Sequence, residues 1–199
     1  MRAWRAAIFL LTALLPAAPA RAQLVAEMSS DRVREALAWG LRAPESELDQ
    51  YELRTDRSWL VNFDTPFLRV AQLSRAMKIQ NSPASEADVS PKVAAPEMHV
   101  YAHARMDTGG RPLPNIDYVV ILRPRAGAAS ETILPSSVQS FVRRVPTDAQ
   151  FTGSTRIARS VKAVFPLRAL AVGNTLRLTF EGGAAETVAI TPELLVRVR

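Results

Sequence analysis

His99 and His103 are the two histidines of a chain that has no cysteine, so they bound the imidazole chemistry open to it and thiol chemistry is excluded. Four residues apart on a helix, they would share one face within chelating reach of a zinc or copper ion. On a strand they also share a face, but at ~3.3 Å per residue they stand about 13 Å apart, too far for one ion. Met98, Val100 and Ala102 alternate with His99, Tyr101 and His103, and that period of two favours the strand. No metal site is expected. His99, Tyr101 and His103 then form an aromatic, polar stripe opposite an apolar one. Such a stripe suits a ring-bearing or sugar ligand. It equally suits the solvated face of an ordinary sheet, a reading that needs fewer assumptions.

Other catalytic constellations are missing. The chain contains no G-x-S-x-G, no S-x-x-K, no H-E-x-x-H and no glycine-rich phosphate or dinucleotide loop, and no serine neighbours either histidine in sequence. Glu45, Glu47 and Asp49 are spaced by two, yet no calcium-loop glycine accompanies them, and a solvated loop explains them. Asp117 stands alone. Arg143, Arg144, Arg156, Arg159, Lys162 and Arg168 could gather into a basic face, but they alternate with Val142, Val145, Ile157, Val161 and Val164 as outward charges on strands do. No catalytic residue, metal or cofactor is assigned.

The elements that must position the stripe follow from periodicity. Residues 30–42 predict a helix with Ser30 or Asp31 as N-cap and Val33, Ala36, Leu37, Gly40 and Leu41 on one face. A short strand is expected over 58–63. Thr65 as N-cap with Pro66 at the first helical position opens a second helix, in which Phe67, Val70, Ala71, Leu73 and Met77 share a face to about Ile79 and Arg69, Gln72, Arg75 and Lys78 take the other. Trp39, Trp59, Phe63 and Phe67 are expected to pack this helical part against the sandwich. Residues 81–96, rich in Pro, Ser and Ala, read as a linker with one short helical turn.

From Glu97 the period becomes two. Strands are expected over 97–103, over 116–122 with both faces buried and a central place, over 137–145, over 157–170 interrupted by Pro166, over 175–181 and over 187–190. Gly109-Gly110 and Gly173-Asn174 mark turns, and Gly182-Gly183-Ala184 a hairpin. The pattern from Thr191 onward fits a final helical turn or a last strand equally. The fold class is therefore α+β, mainly β: an antiparallel β-sandwich of immunoglobulin-like size over 97–199, preceded by a two-helix N-terminal segment over 23–80.

Residues 1–22 set the expected location. Arg2 and Arg5 precede an apolar run of roughly ten residues, half of the ~20 needed to span a bilayer, and Ala20-Arg21-Ala22 forms an A-x-A site before Gln23. A cleaved signal peptide, with cleavage after Ala22, predicts a secreted periplasmic or extracellular chain without an integral span. Arg2, Arg5 and Arg21 would leave with it, halving the formal charge of +6. That small excess, spread without a basic tract, argues against nucleic acid. An apolar fraction of 48% and a charged fraction of 22% are ordinary for a folded domain without disulfides. The functional expectation is an exported, non-enzymatic binding or accessory protein that meets another envelope component; the alternative is a hydrolase or small-ligand site around His99, Tyr101 and His103.

Overall fold

The computed structural model describes residues 28–44, 52–54, 59–104, 115–146 and 155–198. The expected signal segment with Ala20, Ala22 and Gln23, the acidic residues at 45–49 and the expected turn at Gly109-Gly110 lie outside the described residues. No helix among the described residues is long and apolar enough to cross a membrane.

Helix α1 (Ser30–Arg42) starts one residue earlier than its sequence suggests. Ser29 is the N-cap: its carbonyl accepts from Val33 N at 2.9 Å and its hydroxyl from Arg32 N at 3.3 Å. Strands β1 (Glu52–Arg54) and β2 (Trp59–Asp64) follow. Thr65 then caps α2 (Pro66–Ile79), accepting from Leu68 N at 3.3 Å, with Pro66 at the first position as expected. The two helices pack through Val33, Ala36, Leu37, Phe67 and Val70. Gly40 lets them approach: a Cβ there would lie 2.1 Å from the Ala71 carbonyl oxygen. The carbonyls near the end of α1 are met from α2, by Ser74 Oγ on Leu37 O at 2.9 Å, Lys78 Nζ on Leu41 O at 2.9 Å, and Arg75 on Ala43 O. Two cations at a helix C-terminus also complement its dipole.

The loop after α2 holds one 3-10 turn, Glu86–Asp88. Strands β3 (Glu97–Ala104), β4 (Ile116–Arg125), β5 (Ala128–Ile133), β6 (Ser137–Pro146), β7 (Thr155–Pro166), β8 (Thr175–Phe180) and β9 (Ala185–Ala189) complete the β structure. A five-stranded sheet has the order β1-β2-β3-β7-β6, a four-stranded sheet the order β5-β4-β8-β9, and every pairing is antiparallel. Trp59, Val61, Phe63, Met98, Val100, Ala102, Val161, Ala163 and Phe165 from the first sheet meet Val119, Ile121, Leu176, Leu178 and Phe180 from the second in one core. The rings of Trp59 and Phe180 touch across it, 5.8 Å between centroids. The fold is thus a two-sheet sandwich, mainly β, with helices at its N-terminal end. Its first sheet takes strands from both sides of the 81–96 stretch, because β2 alternates as regularly as β3 and pairs with it from Trp59↔Ala104 to Asp64↔His99.

Four expectations change. β4 lies between β5 and β8, as its apolar run suggests, but only one of its faces is buried: Val119 and Ile121 point into the core, whereas Tyr118 is 67% exposed. A tyrosine tolerates water at its phenol end, so the continuous run did not require a second apolar layer. The strand read over 157–170 stops at Pro166, which cannot donate to a ladder, and a 3-10 turn, Leu167–Ala169, begins there with Leu167 N bonded to Pro96 O at 3.0 Å. Val164 falls on the same face as Lys162, opposite Val161, so those valines do not form a single inward row. Arg69, read with Gln72, Arg75 and Lys78 on the helix face away from the apolar one, is nearly enclosed, at 11% side-chain exposure.

The closing elements are settled by caps and turns. Helix α3 (Pro192–Val198) is capped by Thr191, whose hydroxyl accepts from Leu194 N at 3.2 Å, and Leu194 and Val198 enter the sandwich core. The β8–β9 hairpin turns on Gly182 and Gly183 with φ of 87° and 82°, a left-handed pair that glycine adopts at little cost.

Candidate functional site

The outer face of the five-stranded sheet carries the histidine stripe. In the strand register, Asp64, His99, Val164 and Ser137 form one row across the sheet, Asn62, Tyr101, Lys162 and Gln139 the next, and Leu60, His103, Ser160 and Phe141 the third. Residues sharing a row and a face stand about 5 Å apart, and successive rows about 7 Å. The three expected residues are therefore brought together on one surface, each half-buried.

Their rings form a chain. His99 meets Tyr101 edge-on at 6.3 Å, Tyr101 stacks on His103 at 6.1 Å with planes 7° apart, and His103 meets Phe141 of β6 edge-on at 6.2 Å. Lys162 Nζ lies 5.6 Å from the Tyr101 ring centre, within cation–π range. Tyr101 stands between the histidines, so the pair does not chelate one ion. Among the described residues no three metal-capable side chains converge.

Each end of the stripe is polar. At one end Asp64 Oδ2 lies 3.4 Å from His99 Nδ1 and 3.8 Å from Arg69 Nη1, and Glu97 Oε2 lies 3.9 Å from His99 Nε2. Arg69 anchors this corner: its guanidinium donates to the carbonyls of Val93 at 3.0 Å, Asp64 at 3.1 Å, Ala95 at 2.9 Å and Glu97 at 3.1 Å. The stripe thus begins where the 81–96 stretch is pinned to α2. At the other end His103 Nδ1 and Ser160 Oγ share a hydrogen bond of 2.9 Å, and Ser160 is 1% exposed. Burial pushes the Tyr101 phenol above its ordinary value of 10.0; the Asp64 carboxylate adds to the rise and Arg69 opposes it.

Sequence reasoning did not find Ser160, Phe141, Asp64 or Arg69 as neighbours of the stripe. The parity of each strand was readable, but which residue of β2, β6 or β7 stands beside which residue of β3 depends on register, and nothing local encodes that. Of the six basic residues weighed as a basic face and read as outward strand charges, Lys162 is on this surface and Arg168 is exposed in the turn after β7; the side chains of Arg143, Arg144, Arg156 and Arg159 lie outside the described residues. Trp59 and Phe63 are sandwich core, while Trp39 and Phe67 meet at 5.9 Å between the helices.

Fold and face together define an antiparallel β-sandwich with a ring-bearing outer surface on its larger sheet. No protein-family model matches the chain, and no curated protein matches it. Among solved structures it is similar to one from Burkholderia pseudomallei described as a novel protein of unknown function, at 10% identity over 85% of this chain and 89% of that one, with a TM-score of 0.38.

Proposed function

We propose that this chain is an exported, non-enzymatic binding protein of the cell envelope, secreted to the periplasm or beyond, that holds another envelope component against the outer face of its five-stranded sheet. The observation that carries the reading is the unbroken ring chain His99–Tyr101–His103–Phe141 with Lys162 over its centre. Rings on a sheet face offer contact area at low conformational cost, and aromatic residues with a nearby cation are the groups that anchor interfaces. Export rests on the 1–22 leader. In-cell crosslinking followed by mass spectrometry tests it: the native chain should capture a reproducible envelope neighbour, and Tyr101→Ala together with Lys162→Ala should lose it while remaining folded. Capture that is indifferent to both substitutions would remove this face from the reading.

One observation favours the second reading, a hydrolase or small-ligand site at the same place. His103 and Ser160 are paired at 2.9 Å, the arrangement of a base and a hydroxyl nucleophile. Against it, Ser160 is 1% exposed, and a substrate carbonyl must reach the hydroxyl to be attacked. Ester turnover abolished by Ser160→Ala, or a small molecule that copurifies and is lost with His99→Ala and His103→Ala, would support this reading over the first.

A further inference from the structure

The free edge of the five-stranded sheet goes beyond the outer-face reading and concerns a different surface. β6 is ten residues long and ends that sheet, and every residue from 137 to 142 is exposed. Val138, Ser140 and Val142 share one face of the sheet with Ala163 and Val161, the inward one, since Val138 is opposite Ala163 and Ser140 opposite Val161 in register. The two β6 valines nevertheless stand 51% and 62% exposed, because the four-stranded sheet does not reach over β6. A long edge strand with apolar residues and no charge or proline between 137 and 142 is a template for another strand unless it is covered.

The other three edges are protected in recognisable ways. β1 has three residues and offers almost no ladder. β5 pairs with β4 through a register shift near Arg123 and Arg125, and its Glu131 is held by Arg125 at 2.9 Å and Arg123 at 3.6 Å. β9 is five residues long and carries Glu186. Only β6, among the described residues, combines length, exposure and an uncharged stretch.

We propose that β6 pairs antiparallel with β6 of a second copy of this chain, about a two-fold axis perpendicular to the sheet at Ser140. The sequence of β6 selects the occupant and the register. A strand meeting its own copy about such an axis opposes residues equidistant from the axis, on the same face. Centred on Ser140, it sets Val138 opposite the second copy's Val142, twice, and joins the four exposed valines into one apolar cluster on the inward face. Gln139 then lies opposite Phe141 on the outward face, and Arg143 and Arg144 lie opposite serines 137 and 136. Centres at Phe141 or Val142 oppose Val138 to Arg144 or Pro146, and centres at Arg143 or Arg144 oppose like charges, which is unfavourable. The pairing is isologous and closes at two copies, so the open edge does not propagate into a fibre.

Because the chain has no cysteine, single thiols report the register. Sedimentation and light scattering of the native chain are expected to give a concentration-dependent dimer. Ser140→Cys is expected to form an intermolecular disulfide under mild oxidation, since directly opposed strand residues lie within disulfide reach. Val138→Cys alone is expected to stay reduced but to crosslink when mixed with Val142→Cys. Val142→Lys, at an exposed site, is expected to leave the far-ultraviolet circular dichroism unchanged and the protein monomeric. A native chain that is monomeric at every concentration, Ser140→Cys thiols that stay free, or a dimer that survives Val142→Lys would each overturn the proposal.

Discussion

Replacing Gly40 with alanine sets two effects of known sign against each other. Alanine raises intrinsic helix stability by about 1 kcal/mol over glycine in a helix interior, so propensity alone predicts a gain. The structure predicts a loss. The new Cβ would sit 2.1 Å from Ala71 O, 2.8 Å from Ala71 C and 2.9 Å from Ala71 Cα. These are backbone atoms of a facing helix and cannot rotate away. Ordinary contact begins near 3.4 Å, so α1 and α2 must separate by about 1.3 Å. That shift stretches the bond from Ser74 Oγ to Leu37 O, now 2.9 Å, worth about 1 kcal/mol. It also opens the contacts of Val33, Ala36 and Leu37 with Phe67 and Val70; a gap of about 0.5–1 Å already forfeits a quarter to a half of the dispersion energy. Overpacking costs typically about 1–3 kcal/mol, and with the lost bond added and the propensity gain subtracted the net is about 2 kcal/mol of destabilisation. For a chain of this size that is a fall in Tm of roughly 4–8 °C, read by differential scanning calorimetry. Ala71→Gly should not rescue it, because Ala71's backbone, not its methyl, makes the contact. A Gly40→Ala variant melting at or above the native temperature would show that the helix approach is looser than described.

Other consequences can be checked in the same way. Arg69→Met leaves four carbonyls without their donor and should cost about 3 kcal/mol, seen as a lower urea midpoint; Arg69→Lys should recover little, since an ammonium cannot span that fork. Thr65→Val removes both the cap on Leu68 N and the bond from Thr65 Oγ1 to Val198 O at 2.6 Å, a loss of about 2 kcal/mol that Thr65→Ser should largely restore. Tyr101 has a raised folded-state pKa from burial first and Asp64 second. Its contribution to stability is complete below the unfolded value near 10 and declines as pH rises through the folded value. Alkaline unfolding of Tyr101→Phe should therefore begin at higher pH than that of the native chain, and coincident curves would contradict the assignment.

What the sequence discloses is what short-range chemistry controls. Thr65 and Pro66 mark a helix start because one supplies an acceptor and the other lacks a donor, and the structure begins α2 there. The alternation of Met98, Val100 and Ala102 with His99, Tyr101 and His103 fixes which face each takes. The adjacent glycines at 182 and 183 turn a hairpin because their φ values are positive. Partnership across the sheet is another matter. That Ser160 meets His103, that Phe141 extends the ring chain, and that Arg69 on the polar side of α2 clasps the 93–97 carbonyls all depend on pairings distant in sequence. β1, at three residues, is too short for any period to reveal. The site's central stripe was legible; its surroundings required the register.

Thr65 Oγ1 reaches the carbonyl of Val198, and β3 finds one partner in β2 and the other in β7. A chain emerging from the ribosome can therefore wind its first two helices and pair β2 with β3 early, yet β3 lacks its second neighbour until β7 follows, and Thr65 meets Val198 later still. Such a topology delays closure of the core until residues near 198 have been made. Until then the nascent polypeptide stays open, accessible to whichever chaperone engages extended chains.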